Sequence, residues 1–275
     1  MAPVASDFPS SLMLVGAGKM GGSLLEGWIK AGFPGDRVIV SDPYPSEEMA
    51  VYCVQHGITL NPASAPFEPE ALVLAIKPQM LESSAAAINN FIGKSTVIIS
   101  ILAGKTISNL QSYLTNATAI VRTMPNLPAS IGHGATGAYA NERTSGRQKS
   151  QVDALLKTSG TTEWLSREEQ IDAVTAISGS GPAYIFYLTE CLAEAGIQLG
   201  LPRELSERLA RATVTGSAAL MSESSLAPSK LRENVTSPGG TTAAALNNLM
   251  APDGLQPLMN KATASAKKRA GELAG

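Results

Sequence analysis

The sequence predicts an α/β protein: an N-terminal domain built on a doubly wound, mostly parallel sheet, followed by an all-α C-terminal domain that dimerises. Three observations carry this reading. Between Ser11 and about Leu165, short apolar runs bounded by Gly, Pro, Asp or Ser alternate with longer amphipathic segments. Continuous apolar runs suit strands covered on both faces, and a βαβα alternation implies right-handed crossovers. The first run leads straight into a Gly-rich turn. After Trp164 strand-like runs stop, and Ala, Leu, Glu and Arg recur at helical spacing to the C-terminus.

Taken in order, residues 1–10 read as a short tail. Strands are expected at Leu12–Val15, Val38–Val40, Leu72–Ile76, Thr96–Ile101 and Ala119–Val121, with weaker signals at Gly134–Tyr139 and Thr162–Leu165. This gives a sheet domain over 11–165 and a helical domain over 166–275. Pro182 just inside a start and Gly200 at an end bracket a helix over Ala183–Leu199. Further helices are expected at about Pro202–Ser222, Thr242–Leu249 and Gln256–Glu272. The helix Ala183–Leu199 is apolar nearly all round, more than a small helical domain buries alone, so an intertwined homodimer is expected on this half.

Composition narrows the function. The 275 residues are 44% hydrophobic and 16% charged, enough to bury a core and unlike a disordered chain. Lys plus Arg is 21 against 23 Asp plus Glu, which leaves no electrostatic footprint for nucleic acid or an anionic membrane. No apolar run approaches the roughly 18–20 residues of a membrane helix. The first ten residues hold no Lys or Arg and no long apolar core, so no secretory signal is expected. Cys53 and Cys191 cannot form a disulfide framework and suit a reducing compartment. A soluble cytoplasmic protein is the expectation.

The turn after the first strand is Gly16-Ala17-Gly18-Lys19-Met20-Gly21, a G-x-G-x-x-G in its strand–turn–helix setting. Gly16 permits the tight turn, Gly18 lets a pyrophosphate approach the backbone, and Gly21 lets helix and strand pack closely. The second strand ends at Ser41-Asp42, candidate cofactor contacts. Asp42 lies about 20 residues beyond the motif, where a carboxylate hydrogen-bonds the adenosine ribose and would repel a 2′-phosphate. Asp42 also suits a turn with Pro43. Lys77 closes the run Leu72–Ile76 at a carboxyl end, facing the crevice as a cation for the cofactor or as a solvated strand end. Arg122-Thr123-Met124-Pro125-Asn126 is expected to project into the same crevice.

Two stretches of the helical half, Ser178-Gly179-Ser180-Gly181-Pro182 and Ser237-Pro238-Gly239-Gly240-Thr241-Thr242, open helices with free N–H groups and hydroxyls that suit a small carboxylate. They suit plain helix caps as well. Only His56 and His133 occur, without a metal-ligand spacing, so no metal site is expected. There is no lysine between Trp164 and Ser229. A ketone reductase needs a general acid for the nascent alkoxide, whereas an iminium arrives already protonated, so C=N reduction is favoured.

These motifs resemble those of pyrroline-5-carboxylate reductase, the last enzyme of proline biosynthesis, over essentially the whole chain. The carriers are Val15-Gly16-Ala17-Gly18-Lys19-Met20, Ala75-Ile76-Lys77-Pro78, Ser100-Ile101-Leu102-Ala103-Gly104, Arg122-Thr123-Met124-Pro125-Asn126, Ile177 to Tyr184, and Asn234 to Thr242. The resemblance implies a Rossmann domain plus a helical domain interlocking in a dimer or a ring of dimers. It implies hydride transfer from reduced NADP or NAD to 1-pyrroline-5-carboxylate, a cyclic imino acid, giving L-proline. By motif position Gly16, Ala17, Gly18, Lys19, Met20, Gly21, Lys77 and Asn234 would contact the cofactor, with Ala103 near the nicotinamide ribose. Ser237, Gly240, Thr241 and Thr242 would hold the substrate, its ring nitrogen near the catalytic Thr242 hydroxyl, and Glu168 would touch it as well. NADP-using members usually carry small polar residues where Asp42 stands.

Rival readings remain at this point. A 6-phosphogluconate-type hydroxyacid dehydrogenase would need a lysine early in the helical half, and none is there. An imine reductase of other substrate choice, or an NAD(P)-sensing module without catalysis, differs from the main reading in what binds the Ser237–Thr242 loop.

Overall fold

The computed structural model describes residues 7–64 and 66–273. Its first compact unit holds β1 (Leu12–Val15), α1 (Lys19–Lys30), β2 (Val38–Ser41), α2 (Glu47–Gln55), β3 (Thr59–Leu60), β4 (Ala71–Leu74), α3 (Leu81–Asn89), β5 (Val97–Ser100), α4 (Ile107–Tyr113), β6 (Ala119–Met124), β7 (Gly134–Ala140), α5 (Gly146–Lys157), β8 (Gly160–Trp164) and α6 (Gln170–Val174). The strands form one sheet in the order β3-β2-β1-β4-β5-β6-β7-β8. From β3 to β6 all pairs are parallel; β7 runs antiparallel to β6, and β8 parallel to β7. The chain reverses between β1 and β4, the switch point where an open α/β sheet leaves a ligand crevice.

The apolar runs are continuous because both faces of the sheet are covered. Leu12, Leu14, Val38, Val40, Ala71, Val73, Val97, Ile99, Ala119 and Val121 pack on one face. Their neighbours Met13, Val15, Ile39, Leu72, Leu74, Ile98 and Ile120 pack on the other. Trp28 of α1 is buried in the first cluster, and its indole N–H donates to the Leu155 carbonyl of α5 at 3.1 Å, tying the two helices together. A buried indole of this size needs such a partner.

Two sequence expectations change here. Of the expected tail, Met1–Ser6 lie outside the described residues, but Phe8 is buried edge-on against Phe33, 5.5 Å between ring centres, and the Ser10 amide donates to Glu70. An aromatic ring that finds an apolar neighbour is not left in water, so the first domain begins before Ser11. The compact units also do not part after Leu165. The first runs to Ser180 and takes in Ala266–Gly275; the second is Gly181–Ser265. The reason is α6, whose Ile171 is fully buried and whose Val174 lies where a Cβ on Gly137 of β7 would collide with it.

The second unit contains α7 (Gly181–Gln198), α8 (Arg203–Glu223), α9 (Pro228–Asn234), α10 (Thr241–Leu249) and α11 (Leu255–Leu273) as far as Ser265. α9, absent from the sequence expectation, starts on Pro228, whose fixed φ suits a first helical turn. α7 and α8 approach closely at Gly196, where a Cβ would run into the Ser206 hydroxyl, which donates to the Ala193 carbonyl at 2.5 Å. Ala193 is the buried residue of α7, while Ile185, Phe186, Leu188 and Leu192 stay exposed on the protomer.

Candidate active site

The Gly-rich turn is shaped by close contacts. Gly16 has φ +91°, and a Cβ there would lie 2.8 Å from the Ala75 carbonyl oxygen. A Cβ on Gly21 would collide with the Gly16 carbonyl oxygen, so only glycine lets α1 start this near β1. Gly18 is different: nothing lies within 4 Å of where its Cβ would be, and it opens α1 with no side chain capping the helix. Its first-turn amides, on the exposed Gly18 and Lys19 and the half-buried Met20, have no partner within the helix. That is an open cradle for a phosphate at a positive helix end.

Beside it lies a cleft of about 720 Å³ lined by Met13, Val15, Ser41, Pro43, Asn61 and Ile76 among others, at the carboxyl ends of β1, β2 and β4. Asp42 sits between two of these lining residues. Its Oδ2 accepts the Ala17 amide at 2.8 Å and its Oδ1 accepts the Tyr44 amide at 2.9 Å. Asp42 thus does begin a turn over Pro43, and at the same time it grips the Gly-rich loop. An ionised carboxylate offers about four acceptor positions, so two remain for a ligand hydroxyl. The Ala17 amide is occupied by this bond.

Asn61, which the sequence did not single out, lines the same cleft and holds the Asp42 backbone. Its side chain accepts from the Asp42 amide at 2.8 Å and donates to the Asp42 carbonyl at 2.6 Å. The Asn61-Pro62 pair, a turn former, was the available signal. Lys77 is exposed just after β4 and starts a short turn at Pro78, and Ala103 is exposed in the turn between β5 and α4.

Arg122 does not project into the crevice as expected. It is 2% exposed, with Nη1 3.2 Å from Glu168 Oε1 and Nη2 3.3 Å from Asp172 Oδ1. A guanidinium on a central strand has no route to water here, so two carboxylates, one just before α6 and one within it, neutralise the charge. Asn126 bridges instead, accepting from the Ala135 amide at 2.9 Å and donating to the Ser178 carbonyl at 3.1 Å.

The two Ser/Gly stretches fare differently. Ser178-Gly179-Ser180 is not an open helix start. Thr175–Gly179 is a π-helical turn, and the Ser180 amide is taken by the Thr175 carbonyl at 2.8 Å. In the second unit Ser237–Gly240 is a turn closed by the Gly240 amide on the Ser237 carbonyl at 3.0 Å, with Pro238 second and Gly239 third at φ +70°. This is type II turn chemistry. It delivers α10 with glycine at its N-cap and no side-chain cap, so the amides of Thr241 and Thr242 have no partner within the helix. Ser237 and Thr241 are exposed, Thr242 half-buried, and Asn234 ends α9 on the surface. The site residues thus fall in two sets, one on each compact unit.

Residues 168–273 match the family model for pyrroline-5-carboxylate reductase dimerisation, and residues 11–104 match that for NADP oxidoreductase, coenzyme F420-dependent. The pyrroline-5-carboxylate reductase of Pseudomonas aeruginosa is 38% identical over 265 residues, 96% of each chain. The chain belongs to the pyrroline-5-carboxylate reductase family.

The soybean (Glycine max) reductase is 33% identical over 265 residues, 94% of each chain. The solved reductase from Coxiella burnetii superposes with a TM-score of 0.87 at 34% identity, covering 97% of this chain and 99% of its own. The Plasmodium falciparum enzyme, solved with NADP bound, gives 0.77 at 27% identity over 96% and 98%. This reductase is therefore an NAD(P)H-dependent oxidoreductase acting on C=N, reducing 1-pyrroline-5-carboxylate to L-proline, and it carries a self-association domain. Among the described residues no helix is long and apolar enough to cross a membrane, and no cluster of three His, Cys, Asp or Glu could hold a metal.

Proposed function

We propose that this reductase prefers NADH to NADPH and that its motif residues divide the work between cofactor and imino acid. The observation that carries the preference is Asp42, whose carboxylate is fixed by the Ala17 and Tyr44 amides beside the cleft. Two acceptor positions suit the two hydroxyls of an adenosine ribose, while a 2′-phosphate would meet a carboxylate with no arginine in Pro43-Tyr44-Pro45 to offset it.

The residues present fit a dinucleotide. Gly16 and Gly21 keep the loop tight, and the first-turn amides of α1 take the pyrophosphate. Ser41 and Asp42 take the ribose, Lys77 and Asn234 add polar contacts, and Ala103 lies by the nicotinamide ribose. When bound, the reduced nicotinamide supplies the hydride for the imine carbon. The chain's own part is orientation: α10's free amides, at Thr241 and Thr242, hold the substrate carboxylate at a positive helix end. The hydroxyls of Ser237, Thr241 and Thr242 complete the grip, with Gly240 leaving room for it. The Thr242 hydroxyl hydrogen-bonds the ring nitrogen, whose lone pair forms as the C=N bond is reduced, and no lysine or histidine is needed there. Glu168 supports the site indirectly, through Arg122 and the start of α4.

The exposed apolar side chains of α7 support a homodimer as the working form, with rings of dimers as the larger assembly. Two free cysteines and a reductive biosynthetic reaction support the cytoplasm as its place. Steady-state reduction of 1-pyrroline-5-carboxylate with NADH and NADPH side by side tests the preference. A higher kcat/KM with NADPH would reduce Asp42 to a turn residue.

A further inference from the structure

Asn61 is the only non-glycine among the described residues with positive φ, at +48°. A residue before proline is steered away from helical backbone, and left-handed backbone costs a side chain of this kind about 1 kcal/mol. Something must hold it there. β3 pairs with β2 through Ile39–Thr59 and Val40–Leu60, and the Asn61 amide adds one more bond, to the Val40 carbonyl at 2.8 Å. Beyond that the backbone turns away, and the side chain takes over the ladder. Its Oδ1 accepts the Asp42 amide at 2.8 Å, and its Nδ2 donates to the Asp42 carbonyl at 2.6 Å.

Both backbone polar groups of Asp42 are thus satisfied by one amide side chain that also lines the cleft. Pro43 follows immediately, so the peptide after Asp42 has no N–H to anchor it. Without Asn61 the Asp42 backbone would be held on one side only, through its own carboxylate on Ala17 and Tyr44. The carboxylate would then have to do two things at once, fix its own backbone and receive a ligand.

We infer that Asn61 is the positioning residue that sets cofactor choice, by fixing the Asp42 backbone so that the carboxylate is presented in one orientation to the adenosine ribose. This rests on the reading of Asp42 as the ribose acceptor. Asparagine is suited because it tolerates left-handed backbone and carries a donor and an acceptor side by side. The substitution Asn61→Asp would keep the acceptor, lose the donor and bring a second negative charge beside the first.

The test uses the full-length reductase as Asn61→Gly, Asn61→Asp and Asp42→Asn, with NADH and NADPH dissociation constants measured by calorimetry without imino acid. Glycine keeps the positive φ and removes only the side chain, so it isolates the two hydrogen bonds from backbone strain. Asn61→Gly is expected to weaken NADH binding about tenfold, the loss of one to two net hydrogen bonds, and to weaken NADPH binding less. The NADH-to-NADPH affinity ratio therefore falls, and in kinetics the loss appears in KM for NADH rather than in KM for the imino acid. Asn61→Asp is expected to weaken NADH at least as much.

An Asn61→Gly protein with an unchanged affinity ratio overturns the inference, whether both affinities hold or both fall together with the melting temperature. Asp42→Asn separates this from the underlying reading. If Asp42→Asn shifts the ratio toward NADPH and Asn61→Gly does not, only the Asn61 inference fails. If neither shifts it, the ribose role of Asp42 fails and the inference with it.

Discussion

One oxygen of Glu168, Oε1, is shared by the Arg122 guanidinium at 3.2 Å and the Ile107 amide at 2.8 Å. Arg122 stands on β6 and Ile107 opens α4, so this single atom ties the sheet to the helix start just past the Ala103-Gly104 turn. Gly104 itself has φ +74° and lies against the end of α11, where a Cβ would come 2.6 Å from the Leu273 carbonyl oxygen. The turn that carries Ala103 is therefore braced from two sides. Arg122→Met is expected to leave two carboxylates facing each other without a cation and to destabilise the protein by about 2–4 kcal/mol, less than for a fully buried pair because both acids keep some solvent. Urea unfolding measures it. A change below about 0.5 kcal/mol would show that the pair contributes little.

Glu168→Gln keeps an acceptor for the Ile107 amide while removing the charge opposite Arg122. A loss of about 1–2 kcal/mol in stability is expected, with KM for the imino acid within twofold of wild type. A large rise in that KM at unchanged stability would instead place Glu168 on the substrate.

At α10, Thr242→Val removes the hydroxyl at similar volume and Thr242→Ser keeps it. Valine is expected to lower kcat by about 10–100-fold, the worth of one hydrogen bond made in the transition state, and serine to keep it within a few-fold. Equal turnover in all three proteins would take Thr242 out of the mechanism.

The α7 face gives a different kind of test. Phe186 is 54% exposed on the protomer and flanked by exposed Ile185 and Leu188. Phe186→Glu places a charge where a second copy would bury it, and should weaken self-association by at least about 100-fold. Sedimentation velocity at micromolar concentration is expected to show monomers. An unchanged sedimentation coefficient would place the interface elsewhere.

Glu70 makes stability depend on acid. Burial alone would push its carboxyl up, but the Ser10 amide at 2.6 Å, Gln151 and the Arg147 guanidinium at 2.9 Å outweigh this and hold it below the usual glutamate value. A depressed folded value means stability that is present above the unfolded value of about 4.3 and is lost as pH falls through the folded one. Glu70→Gln should therefore melt lower than wild type at pH 7, with the gap closing as pH drops toward 3. A gap that stays constant with pH would mean that Glu70 acts by packing alone.

Much of this architecture was legible in the residues. The runs Leu12–Val15, Val38–Val40 and Ala119–Val121 lie within strands of the structure, and G-x-G-x-x-G sits where the sheet's first strand gives way to α1. What escaped was short or polar. β3 is two residues, too brief to leave a pattern, and Asn61 follows it as one more asparagine before a proline. The Ser178–Ser180 stretch has the composition of a helix cap, yet its amides continue a π-helical turn.

Local sequence alone set the sheet's longer strands and their double covering, the open Gly-rich turn and the helix that follows Ser237–Gly240. Each of these depends on neighbours within a few residues: apolar periodicity, a missing Cβ, a Pro-Gly pair. Long-range packing made β7 run against β6, placed α6 with the sheet, buried Arg122 between Glu168 and Asp172, and brought Asn61 onto Asp42. Those are bonds between residues far apart in the chain. A polar group satisfied from a distance leaves no periodic trace near itself, because its partner is chosen by where the packed core happens to bring another chain segment.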